Sequence, residues 1–136
     1  MEDAAGTVNY IAIIAAAISA FVLGGLWYAP FLFGKAWQTE VGLSDEQLKS
    51  GSLIKIFGGS FVLSLAGAFV FAMFLGPKPA LDFALGAGFS AGLCWVAGSF
   101  GINYLNERKS LKLFFINGGY HTLQYTIYGA ILSLLG

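Results

Sequence analysis

Four long apolar runs divide the chain, separated by short polar stretches. They cover about residues 7–33, 53–75, 80–104 and 111–135. Each reaches the ~20 residues that a helix needs to cross about 30 Å of hydrocarbon. None carries a charge at its centre. Backbone polar groups in hydrocarbon must satisfy one another, so such runs are helices. The ~10-residue alternation of a β-barrel strand is missing. The pattern predicts an all-α membrane protein, one domain over 1–136, with four transmembrane helices in a compact up-down bundle.

The first run is the longest. At ~27 residues it would measure ~40 Å as a straight helix, more than the hydrocarbon needs, so it must tilt or bend. Pro30 is the expected bend, because its ring removes one helical hydrogen bond and crowds the carbonyl four residues earlier. Thr7 is the expected cap of its first turn. The acidic flank Met1-Glu2-Asp3 and the length of the run argue against a cleaved signal. Residues 34–52 form the only sizeable loop. Within it, Ser44-Asp45-Glu46-Gln47 has capping-box spacing, so a short helix is expected near 45–50, stopping at Gly51. Gly76-Pro77-Lys78-Pro79 and Asn106-Glu107-Arg108-Lys109-Ser110 read as tight turns joining antiparallel neighbours.

Composition sharpens the membrane reading. The chain is 57% hydrophobic and 10% charged, with a mean hydropathy of +0.76. A soluble domain would carry about 25% charged residues, so most of this surface is expected to face lipid. Net charge is zero and there is no basic block, which excludes nucleic acid as a favoured partner. Cys94 is the single cysteine, so neither a disulfide framework nor a metal centre is expected. Lys35, Lys49, Lys55, Arg108, Lys109 and Lys112 fall on one side of a four-span topology and Lys78 alone on the other. The positive side is cytoplasmic. The loops at 34–52 and 106–110 are then expected inside and both termini outside.

Small residues recur at spacing four: Ala12, Ala16, Ala20 and Gly24; Ser60, Ser64 and Ala68; Ala84, Gly88 and Gly92. Such stripes let membrane helices approach closely. A weaker signal is an internal repeat. Phe21, Gly24, Trp27 and Ala29 match Phe89, Gly92, Trp95 and Ala97, and Gly58-Gly59 match Gly118-Gly119. It would make the bundle two tandem helix hairpins.

Candidate chemistry gathers in two places. The fourth run carries Asn117, His121, Gln124 and Tyr128 at spacings that share one helical face. His121 lies ~15 Å into that run. This is either a polar seam for transport or a set of interhelical hydrogen bonds. Ser19, Ser64, Ser90 and Cys94 lie at similar depth in the other runs. The second place is the cytoplasmic interface, where Trp27, Tyr28, Pro30, Lys35 and Trp37 face Asn103, Glu107 and Arg108 across one boundary. It reads as a belt of anchors or as a shaped pocket. No nucleophile-base pair, phosphate loop or acidic residue deep in a run is present, which disfavours an enzyme and a carboxylate ion relay.

The stretch Gly24-Gly25-Leu26-Trp27-Tyr28-Ala29-Pro30-Phe31-Leu32-Phe33-Gly34-Lys35-Ala36-Trp37 resembles the signature of a bacterial membrane family called domain of unknown function 1761. Asn9 fits, as does Arg108-Lys109-Ser110-Leu111-Lys112-Leu113 continuing to Ile116-Asn117-Gly118-Gly119-Tyr120-His121. The resemblance covers essentially the whole chain. It implies a small four-helix membrane protein with no assigned activity; the bacterial inner membrane is the expected location, and no cofactor is expected. The first functional expectation is a structural or accessory subunit that forms a homo-oligomer or joins a partner membrane protein, surrounded by lipid. The alternative is an oligomeric transporter or channel using the seam on the fourth run. The least favoured is a lipid enzyme with His121 as base.

Overall fold

A computed structural model describes residues 9–136. Thr7 and the acidic flank lie outside the described residues. Asn9 caps the first helix, α1 (Tyr10–Trp27), by accepting from the backbone N–H groups of Ile11 and Ala12. Two short helices follow, α2 (Gly34–Val41) and α3 (Asp45–Ser50). A single π-helical turn, Ile54–Gly58, leads without a break into α4 (Gly59–Leu75). Next, α5 (Leu81–Ser90), a π-helical segment (Ala91–Ala97) and α6 (Gly98–Glu107) form one continuous helix. The last helix is α7 (Leu111–Leu135). No strand occurs among the described residues.

Three of these helices are long and apolar enough to cross a membrane: Tyr10–Trp27, Ile54–Leu75 and Leu81–Glu107. The expectation of four such helices is corrected at α7. It has the length, 25 residues, but Asn117, His121, Gln124 and its threonines and tyrosines keep it out of that apolar class.

The first run also departs from expectation. No bent 27-residue helix forms. The helix stops at Trp27, and residues 28–33 turn before α2 begins. Pro30 acts ahead of its own position, because its ring disfavours helical geometry at Ala29. The freed groups are re-used in the turn. Phe33 N–H donates to the Trp27 carbonyl at 3.1 Å and Gly34 N–H to that of Ala29 at 3.0 Å. This close turn needs glycine at 34, since a Cβ there would lie 2.2 Å from the Tyr28 oxygen.

Neighbouring long helices run antiparallel. At one end of the molecule the Asn9 side chain donates to the Leu135 carbonyl, 2.8 Å. At the other, Trp27 Nε1–H donates to Ile116 O, also 2.8 Å. So α1 and α7 run in opposite directions. Tyr10 stacks near Phe69 and Phe21 near Phe61, which makes α4 antiparallel to α1. Ser133 reaches Pro79 and Gly118 meets Ala97, so Leu81–Glu107 is antiparallel to α7. The most polar long helix thus lies between α1 and Leu81–Glu107.

The core is built from small residues. Ala12, Ala16, Ala20, Ala68, Ala72 and Ala91 are buried around Ile13, Phe71, Tyr128 and Leu132. The third stripe makes the tightest seam. A Cβ at Gly88 would lie 2.1 Å from Tyr125 O, one at Gly92 2.7 Å from His121 O, and one at Gly129 2.1 Å from Ala84 O. Backbone meets backbone there, the close approach that small residues allow in membrane helices. The second stripe is only partly used: Ala68 is buried and Ser60 is exposed. The two halves of the suggested repeat are not equivalent. Trp27 is half-buried and hydrogen-bonded, whereas Trp95 is 67% exposed.

Candidate functional site

The site is carried by α7, whose polar face meets three other elements. Asn117 is clamped from both sides. Its Oδ1 accepts from the Tyr28 hydroxyl at 2.6 Å, and its Nδ2 donates to the Tyr104 hydroxyl at 2.7 Å. One side chain thereby ties the turn after α1, α6 and α7 together. Tyr28 is held further by ring contacts with Trp37 and Tyr120, centroids 5.8 and 5.5 Å apart. Tyr120 in turn donates to Ala20 O at 2.8 Å.

One turn further along, His121, Gln124 and Tyr128 form a directional chain. Tyr128 donates its hydroxyl proton to Ser64 O on α4, 3.1 Å away. It can then only accept from Gln124 Nε2, at 2.8 Å. That fixes the amide with Oε1 toward His121 Nδ1, 2.6 Å away. A carbonyl oxygen only accepts, so the proton sits on Nδ1. The His121 ring stacks on Phe100 at 5.1 Å and meets Tyr120 edge-on at 4.8 Å. Tyr128 is fully buried and Gln124 is 6% exposed. No buried side-chain nitrogen or oxygen among the described residues lacks a hydrogen-bond partner.

The four seam residues therefore serve two separate networks, Asn117 in one and His121, Gln124 and Tyr128 in the other. Of the hydroxyl and thiol groups expected at the same depth, Ser64 contributes its main chain and Ser19 bonds Ala16 O within its own helix. Ser90 and Cys94 are exposed.

The interfacial group divides. Trp27 and Tyr28 turn inward and bond to α7, and Trp37 backs Tyr28. Pro30, Lys35, Asn103, Glu107 and Arg108 are exposed, and none of their side chains is hydrogen-bonded into this corner. Arg108 ends α6 in the left-handed conformation, φ 61°. Trp27 also lines an apolar groove, but its companions there are Phe89, Leu93 and Phe115 and none of the charged residues.

Three participants carry no signal readable in isolation. Tyr104 reaches Asn117 only because α6 lies beside α7. Tyr120 reaches α1 across one hundred residues of chain. Glu40 on α2 accepts from the Ser110 hydroxyl, whose oxygen also caps α7 by accepting from Leu113 N–H at 3.0 Å. Ser110, a hydroxyl just before an apolar run, does have the N-cap signature, as does Asn9.

A chain of apolar helices held by such internal polar contacts is compatible with a membrane protein. The family comparison makes the assignment specific. The chain belongs to the family described as "Protein of unknown function (DUF1761)", whose model matches residues 11–133. No curated protein and no solved structure matches it.

Proposed function

We propose that the chain is a four-span integral membrane protein, with α7 as its fourth span, and that it acts as a structural or accessory subunit in an oligomer or beside a partner membrane protein. The pairing of the four α7 polar groups inside the protein carries this reading, Asn117 and Tyr128 to other elements and His121 and Gln124 within α7. A helix bearing asparagine, histidine and glutamine is stable in hydrocarbon when those groups are paired inside the protein. Asn117, His121, Gln124 and Tyr128 all have such partners. A transport path would instead need polar atoms free to exchange partners with a solute. The exposed apolar residues of Ile54–Leu75, among them Ile54, Phe57, Val62 and Leu63, leave a broad face for lipid or another chain.

Two measurements test the reading. Alkaline carbonate should leave the protein in the membrane pellet, and release would end the membrane assignment. Crosslinking in native membranes should trap a defined dimer, higher oligomer or heteromeric species. A purely monomeric product would remove the subunit reading.

A further inference from the structure

We infer that the groove beside Trp27 binds an acyl chain of an anionic phospholipid, with Lys112 meeting the headgroup at its mouth. The inference rests on the membrane reading above. The groove has a volume of about 470 Å³ and runs between α7 and the helix Leu81–Glu107. Trp27, Phe89, Leu93, Phe115, Thr122 and Thr126 wall it. Both threonines spend their hydroxyl protons on their own helix, Thr122 on Gly118 O and Thr126 on Thr122 O, each at 2.7 Å. The walls therefore present carbon, and a polar solute would lose its water without replacement. The volume lies in the range of about 300–1,000 Å³ usual for small-ligand sites.

Depth narrows the occupant. From Phe115 to Thr126 the groove follows α7 for ~17 Å at ~1.5 Å per residue. Half of a ~30 Å hydrocarbon core is ~15 Å, so the groove matches one leaflet. Charge narrows it further. Lys112 lies three residues before Phe115 and seven before Gly119, on the same helical face. Arg108 and Lys109 stand in the adjoining turn, where Glu107 is the one opposing charge. Glu40, hydrogen-bonded to Ser110, adds a second negative charge beside this turn, so Arg108, Lys109 and Lys112 outnumber the two acidic groups by one. A cation at the leaflet boundary complements an anionic headgroup. A second copy placed by a twofold axis along the membrane normal would bring a second Lys112 to the same depth, like charge against like.

Native mass spectrometry of the detergent-purified protein, offered equal palmitoyl-oleoyl phosphatidylglycerol and phosphatidylcholine, tests this. Wild type should retain one phosphatidylglycerol in preference. Lys112→Gln should reduce that preference about fivefold and leave chain binding. Thr122→Phe and Leu93→Trp, which fill the groove from opposite walls, should reduce retention of both lipids with helicity unchanged. Two groove variants are used so that one folding failure does not remove the test. Equal retention of the two lipids by wild type would overturn the proposal, as would full retention by a folded groove variant. So would a dimer that disappears in both groove variants, which would assign the groove to a second copy. Carbonate extraction of the same preparations reads the membrane assignment separately: a pelleted protein that ignores phosphatidylglycerol loses this site and keeps its spans.

Discussion

At the scale of single residues, glycine and glutamine do the most specific work. Gly34 is required by proximity, because a Cβ would meet the Tyr28 oxygen at 2.2 Å and the Ala29 oxygen at 2.9 Å. Gly25 has nothing within 4 Å of the same position. Alanine at these two sites therefore has opposite consequences. Gly34→Ala should destabilise the fold by roughly 1–3 kcal/mol through forced backbone movement. Gly25→Ala should be neutral, or stabilise α1 by up to about 1 kcal/mol through lower chain entropy in the unfolded state. Denaturant titration in detergent separates them. Gln124 presents a different case, since it bridges His121 and Tyr128 at once. Gln124→Leu should cost about 1–2 kcal/mol, because it removes two hydrogen bonds within α7 and leaves the buried groups of His121 and Tyr128 short of a partner. A double-mutant cycle with Tyr128→Phe should be non-additive, because both substitutions break the same link. Full additivity would show that the chain of bonds carries no coupling.

Between elements, the decisive joint is α2 on the start of α7. α2 has eight residues and no buried side chain, too short to persist without tertiary support. Glu40 supplies that support through Ser110, together with the Trp37 contact to Tyr28. Glu40→Ala should expose the α2 amides to faster hydrogen exchange while α1 and the core of α7 stay protected. Ser110→Ala removes both the joint and the cap of α7, and should cost about 1 kcal/mol more broadly. Unchanged α2 exchange in Glu40→Ala would show that the aromatic contact suffices. This joint also marks where sequence reasoning stops. Apolar length locates the long helices, and the Ser44–Gln47 capping box is visible as a spacing and present as two reciprocal hydrogen bonds. The α2 segment carries an apolar stripe too short to announce a helix, Phe33, Trp37 and Val41 at spacing four, with Gly42 at its end at φ 76°. Its partner lies seventy residues away. The π-helical segments are equally silent, since one added residue per turn leaves no mark on composition. Pro30 is legible as a disruption. Whether the chain bends or turns there depends on Gly34 and on hydrogen bonds that bypass the proline.

For the whole molecule, the charge pattern predicts which way it sits in a membrane. Six basic residues fall on the side of α2, α3 and the α6–α7 turn, and Lys78 alone on the other. Positive charge near helix ends is retained in the cytoplasm. The fold binds the two sides into consistent ends. Asn9 holds Leu135 at one end, and Trp27 holds Ile116 toward the other. These bonds put the start of α1 and the end of α7 on one side if α7 spans; a protein with only the three apolar spans would have to break the Asn9–Leu135 bond and place them on opposite sides. Single-cysteine labelling decides between these. With Cys94→Ala as background, Gln47→Cys and Lys78→Cys mark the two faces, and a cysteine appended after Gly136 marks the end of α7. An impermeant maleimide on intact cells should label Lys78→Cys and the appended cysteine at once, and Gln47→Cys only after the membrane is opened. Labelling of the appended cysteine together with Gln47→Cys would leave three spans, and α7 would then lie along the cytoplasmic face with its polar chain no longer in hydrocarbon. That outcome would withdraw the lipid groove together with the fourth span, because both need α7 to run through the leaflet that Lys112 begins.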